Sequence, residues 1–294
     1  MKKSMKVITL SVCYLLLLSC LPCAPVEASY NIGFNNHKIR ITSPQANNMK
    51  YSGMLTITGT SSLPEVWFCT RGPAKELAAY KADVQDSSFS IDIPLRFGPG
   101  EYTVWAGDNS SRFDGSIRFL VHNQDSGDTR FVSASNYIDS NDERIVALAE
   151  ELNLSGQNDR EKVQIIHDWI AANISYDCEA YFQHQVELNY ASSILEQRKG
   201  LCRDFAFLFA ALSRHSGVPC KVVYGQAIDD YTGQSALHAW NEVFIDGEWQ
   251  CVDVTWDAGY INGSVFIQSP SNKYLTVDRT RFALSHTPTM VAAH

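Results

Sequence analysis

The stretch LHAWNEVFIDGEWQCVDVTW, residues 237 to 256, limits the possible folds of this chain more than any other. Asp246-Gly247 stands between two strand-like runs, and this dipeptide supplies the positive φ values that a two-residue hairpin turn needs. Such a turn fixes the register: Ile245 faces Glu248, and paired residue numbers sum to 493. Extended along both strands, the rule sets Trp240 opposite Asp253 and His238 opposite Thr255. His238 and Asp253 are then expected on one sheet face as a diagonal pair, roughly 7–8 Å apart at the backbone, a gap that imidazole and carboxylate side chains bridge. A one-residue bulge would turn Asp253 to the other face.

The run GLCRDFAFLFAALSRHSGVPC, residues 200 to 220, supplies the third group. Phe205, Leu208, Phe209 and Leu212 recur at helical spacing, and Gly217 with Pro219 is a stop signal. Cys202 therefore sits at the first turn, where unpaired backbone N–H groups favour negative charge, a setting that suits a nucleophile. A thiol nucleophile needs an imidazole to hold and return its proton, and the imidazole needs a partner to fix its tautomer. Cys202, His238 and Asp253 fill those roles. Each also has a plainer reading: a space-filling cysteine, a structural strand histidine, an aspartate capping the sheet.

These blocks resemble the core of the transglutaminase-like superfamily, a branch of the papain-like cysteine enzymes. The likeness runs from about Ile145 to Asp257 and includes HDWIAANISYD ahead of the cysteine. It implies an α+β core in which a helix bearing Cys202 packs on an antiparallel sheet bearing His238 and Asp253, the positions that match the family's catalytic residues. In such relatives an upstream aromatic or amide side chain assists the Cys202 backbone N–H at the oxyanion, and Tyr190 is the expected donor here. Trp240, Asp230 and Tyr231 are expected to touch substrate. No cofactor or metal is expected: Cys178, Cys202, Cys220 and Cys251 are spaced too widely for a C-x-x-C element, and no calcium loop of the D-x-[DN]-x-[DN]-G type occurs.

Residues 30 to about 123 alternate instead, as in Phe89, Ile91, Ile93 and in Tyr102, Val104, Ala106, with turn signals between the runs. About seven short strands in an all-β, immunoglobulin-like sandwich are expected over 29–123. The polar stretch 124–140 reads as a linker, and 141–294 as the catalytic domain. Within it Ile145, Leu148, Ala149 and Leu152 share one helical face, while Val163, Ile166, Trp169 and Ile170 share another behind a cap at Asp159.

Residues 1–28 read as an export signal, with Lys2, Lys3 and Lys6, an apolar run, and Val26-Glu27-Ala28 at the cleavage point. A competing reading acylates Cys20 as a lipid anchor. A lasting membrane helix is not expected, because the run is short and meets Pro22 and Pro25. Without these residues the chain has 21 basic against 31 acidic side chains, which argues against nucleic acid as a partner. Five cysteines remain, an odd number that leaves a free thiol, and Cys220 and Cys251 read as packing residues or a disulfide pair. The expectation is a secreted or cell-surface thiol enzyme acting on protein, peptide or cell-wall peptide amides, with water preferred over an amine as acceptor. The alternatives are a crosslinking transglutaminase and a binding module with a vestigial triad.

Overall fold

The computed structural model describes residues 31–185, 187–228 and 233–292. The expected export segment, Cys20, Asp230 and Tyr231 lie outside them. Alternation in the first third becomes eight strands: β1 (Ile39–Ser43), β2 (Met49–Tyr51), β3 (Met54–Ser61), β4 (Glu65–Arg71), β5 (Leu77–Asp83), β6 (Ser88–Pro94), β7 (Gly100–Gly107) and β8 (Ile117–Asn123). They form two sheets, ordered β1-β3-β6 and β2-β8-β7-β4-β5. The inward positions of both, among them Ile57, Ile93, Phe68, Val104 and Phe119, share one core, so the period of two buries one face of each sheet. Buried Tyr102 closes the corner before β7: its hydroxyl accepts from Phe97 N–H (2.8 Å) and lies within reach of the Leu95 and Gly98 carbonyls.

The remaining elements are α1 (Glu143–Glu151), α2 (Asp159–Asn173), β9 (Ser175–Tyr176), α3 (Cys178–Phe182), α4 (Ala191–Gln197), β10 (Lys199–Gly200), α5 (Cys202–His215), β11 (Cys220–Ile228), β12 (Ser235–Ile245), β13 (Glu248–Val252), α6 (Val254–Ala258), β14 (Gly259–Asn262), β15 (Val265–Gln268), α7 (Arg279–Phe282) and β16 (His286–Val291). Asn158, not Asp159, caps α2: its side chain accepts from Glu161 N–H while Glu161 reaches back to Asn158 N–H. The polar stretch 124–140 carries neither helix nor strand. It is tied down where Phe131 O accepts from Cys220 N–H and where Arg214 reaches Ser133 and Ser135. Among the described residues no helix is long and apolar enough to cross a membrane.

Helix α5 departs from an amphipathic surface helix, since every residue from Asp204 to Arg214 is buried. It packs against β11 and β12 on one side and against α1, α2 and α4 on others, so Phe207 joins Phe205, Leu208 and Leu212 in the core. The sheet runs β13-β12-β11-β16, all neighbours antiparallel. Ala239, Val243 and Cys220 join the core around α5, whereas Trp240 and Cys251 join a smaller one with Tyr274, Val277 and Phe282. Cys220 and Cys251 therefore belong to different cores, and each is a packing residue with a free thiol.

Candidate active site

The hairpin turns at Asp246 (φ 55°) and Gly247 (φ 84°), and β12 pairs with β13 from Ile245↔Glu248 to Asn241↔Val252 in the expected register. There the ladder stops. Asp253 caps α6, so Thr255 is helical and does not face His238; His238 is paired instead with Gly225 of β11. The carboxylate still meets the imidazole from this cap position. Asp253 Oδ2 accepts from His238 Nε2 at 2.7 Å, and Asp253 Oδ1 accepts from Trp256 N–H at 3.2 Å.

Cys202 is the first residue of α5, and its backbone N–H has no acceptor within the helix. The start of the helix is held by buried Asp204, which accepts from Leu201 N–H at 2.8 Å. Gly200 makes that possible, since a Cβ there would overlap the Asp204 side chain. Arg203 donates to the carbonyls of Gln185 and Glu187. The Cys202 thiol lies close enough to the His238 ring to interact with its charge. With Nε2 committed to Asp253, Nδ1 is the nitrogen left for the thiol, and the order is thiol, imidazole, carboxylate.

The electrostatics favour a charged imidazole. Burial alone would lower the His238 pKa, but the charge and hydrogen bond of Asp253, with the Cys202 contact, outweigh it and push the group up to about 10. Asp253 shows the converse. Burial would raise its pKa, and the two imidazoles beside it hold it well below the usual carboxylate range.

The second imidazole is His286, the first residue of β16, whose Nε2 stands 3.2 Å from the same Asp253 oxygen. Nothing in RFALSHTPT marks it, because its strand joins the far side of β11, away from β13. Ligand atoms of His238, Asp253 and His286 all lie within 4.8 Å of one another, the spacing of a metal-binding group, and here they are held by hydrogen bonds to each other. A further pair, His167 Nε2 and Asp257 Oδ2 at 3.1 Å, lies behind the site. Asp257 also accepts from Ser271 Oγ and from the N–H groups of Lys273 and Tyr274. The anchored Tyr274 carbonyl in turn receives Asp253 N–H at 3.1 Å.

Other expected site residues fall elsewhere. Tyr190 precedes α4, with its hydroxyl 3.5 Å from Asn136 Oδ1 and its ring against Tyr137. Trp240 is 2% exposed and packs edge-on to His286, so it backs the site from within the core and presents no open surface. Half-buried Trp256 lies 5.3 Å from the His238 ring. The tyrosines near the thiol are Tyr176 and Tyr224, both half-buried against the α5 core with Cys202. Tyr176 is brought there by a two-residue parallel ladder that pairs it with Gly200.

The sequence model of the Transglutaminase-like superfamily matches residues 146–254, a span that holds all three of Cys202, His238 and Asp253. Kyphoscoliosis peptidase of Mus musculus is 31% identical over 153 residues, covering 50% of this chain and 22% of that protein. Its Homo sapiens counterpart is 34% identical over 121 residues, covering 39% and 18%. The chain thus spans about a fifth of the length of these relatives. Among solved structures, a candidate cysteine protease from Cytophaga hutchinsonii is 20% identical with a TM-score of 0.38, over 77% of this chain and 69% of that one.

Proposed function

Residues 146–254 form a domain of the transglutaminase-like superfamily, and on that premise we propose that the chain is a thiol-dependent enzyme that cleaves amide bonds of proteins or peptides. The observation that carries the reading is the Cys202–His238–Asp253 line, with its 2.7 Å imidazole–carboxylate contact. Cys202 Sγ attacks the carbonyl carbon while its proton resides on His238 Nδ1. Asp253 holds the ring by Nε2 and stabilises the imidazolium. Negative charge on the carbonyl oxygen is met by the Cys202 backbone N–H. The phenol of Tyr176 is our choice for the second donor, because burial and the nearby Cys202 raise its pKa and keep its proton in place. His238 then gives its proton to the departing amine, leaving a Cys202 thioester, and returns as base to activate water.

Water is favoured as acceptor for two reasons. Crosslinking needs a channel that admits a neutral amine and holds water back. Of the two tryptophans that could wall one, Trp240 is buried and only half-buried Trp256 remains beside His238. The mouse and human relatives are also named as peptidases. The reading includes export to the cell surface or beyond, where cell-wall peptides are available substrates, supported by the composition of residues 1–28. A vestigial triad is disfavoured, because an idle site would not need a buried aspartate held by three N–H donors. The test is incubation with glutamine-containing and cell-wall peptides plus a dansylated amine. Hydrolysed product should exceed amine incorporation, and both should vanish in Cys202→Ala. Dominant incorporation would reassign the chain to transglutaminase, and no product from any pool would favour the binding-module reading.

A further inference from the structure

His286 stands in a cage of aromatic rings, stacked on Phe282 at 3.9 Å and 24°, with Trp256 at 4.6 Å, Trp240 at 5.1 Å and Tyr274 at 5.7 Å. It is 1% exposed, and its backbone is fixed by pairing with Ala227. A phenylalanine would fill such a cage at no polar cost, whereas a buried imidazole must satisfy two ring nitrogens. The structure satisfies both. Nε2 faces a carboxylate oxygen, which only accepts, so Nε2 carries the proton; Nδ1 and the Ser285 hydroxyl hydrogen-bond each other at 2.8 Å.

We infer that His286 is a positioning residue of the active site, which holds the Asp253 carboxylate so that Oδ2 stays on the axis of His238 Nε2; this rests on the triad reading above. Asp253 is fully buried and receives three N–H groups, from His238 and His286 on Oδ2 and from Trp256 on Oδ1. Without His286 the carboxylate would be held by one short bond on Oδ2 and one longer bond on Oδ1, and its broad terminal torsion would be less tightly fixed. The second imidazole fills the remaining lone-pair site of Oδ2 and removes that freedom. The relay therefore runs from Ser285 through His286, Asp253 and His238 to Cys202, across β16, the end of β13, β12 and α5. His286 touches no substrate atom; it acts through Asp253.

The test compares the full chain with His286→Phe, which keeps an aromatic ring in the cage but has no donor, and His286→Gln, which keeps an N–H. Two readouts serve. Cys202 alkylation by iodoacetamide is followed by peptide mass spectrometry, with Cys69 of the sandwich as internal standard, and imidazole N–H protons are followed by NMR. Losing a charge-assisted hydrogen bond in a buried site should slow Cys202 alkylation by about 10- to 100-fold in His286→Phe. Cys69 should be unchanged, the His238 Nε2 proton displaced, and the Gln variant recovered to within about threefold of the wild type. The unmutated chain should show two strongly downfield imidazole protons, a reading that needs no variant to fold. Wild-type alkylation in His286→Phe with an unmoved His238 proton overturns the inference, as does a single downfield proton in the unmutated chain. Failure of the amidase reading looks different: a fast-alkylating Cys202 and both protons present, with no amide cleaved.

Discussion

Replacing Asp253 by Asn changes no volume and removes one charge at a site that is fully buried. The carboxylate now accepts two imidazole N–H groups and one backbone N–H. An amide turned to satisfy both imidazoles aims its NH2 at Trp256 N–H, and turned the other way it aims NH2 at both imidazoles. Two charge-assisted bonds are lost or inverted, each worth about 1.5–3 kcal/mol, for a total of about 3–6 kcal/mol. If that is spent in the transition state, kcat/KM falls by about 10²–10⁴. The titration is a second measure. Asp253, helped by the Cys202 contact, holds the His238 pKa at about 10 against burial; without the Asp253 charge only the Cys202 contact opposes burial, and the pKa should fall well below 10. NMR titration of His238 in wild type and variant, beside single-turnover cleavage of whichever peptide the wild type accepts, tests both. A His238 still titrating above about pH 9 in the variant, or a loss under about tenfold, would refute the assignment of Asp253 as source of the shift.

The same pair predicts a pH dependence of stability. A pKa raised from 6.5 to about 10 contributes stability that is fully present below 6.5 and is lost as pH rises through 10. The difference in unfolding free energy between wild type and Asp253→Asn, followed by urea melts, should therefore narrow across that window. Tyr176→Phe should lower kcat by about 10²-fold with KM unchanged, as for loss of one oxyanion donor, and a KM effect alone would make the ring a substrate contact. In the sandwich, Tyr102→Phe leaves the Phe97 N–H without its partner and should cost about 1–3 kcal/mol in urea melts. A Cβ at Gly225 would overlap the Thr287 carbonyl of β16 and the Trp240 ring, so Gly225→Ala should cost about 1–3 kcal/mol and slow Cys202 alkylation by displacing the strand that carries His286.

Much of the site was legible because its signals are local. A thiol at the head of an apolar helical pattern follows from residues 200–212 alone, and the register of β12 with β13 follows from two turn residues. The alternation of the first third likewise yields paired sheets, since period two is a property of each strand by itself. The register rule failed one residue past Val252, where Asp253 found a helix to cap; a pairing rule carries no term for where the ladder gives way.

What tertiary structure alone decided is what covers what. Helix α5 shows an amphipathic pattern yet is buried all round, because helices close over the side that the sheet leaves open. Trp240 moved from the expected substrate surface into the core when α7 and β16 packed behind it, and Tyr176 came to the thiol by a parallel ladder 24 residues away in sequence from its partner. His286 is the clearest case, 33 residues beyond Asp253 and brought to it by a strand that pairs with β11. Local propensity decides which segments become helix or strand. The neighbours of a buried carboxylate depend on which distant segments cover the exposed apolar faces, a choice set by the summed burial of the whole chain.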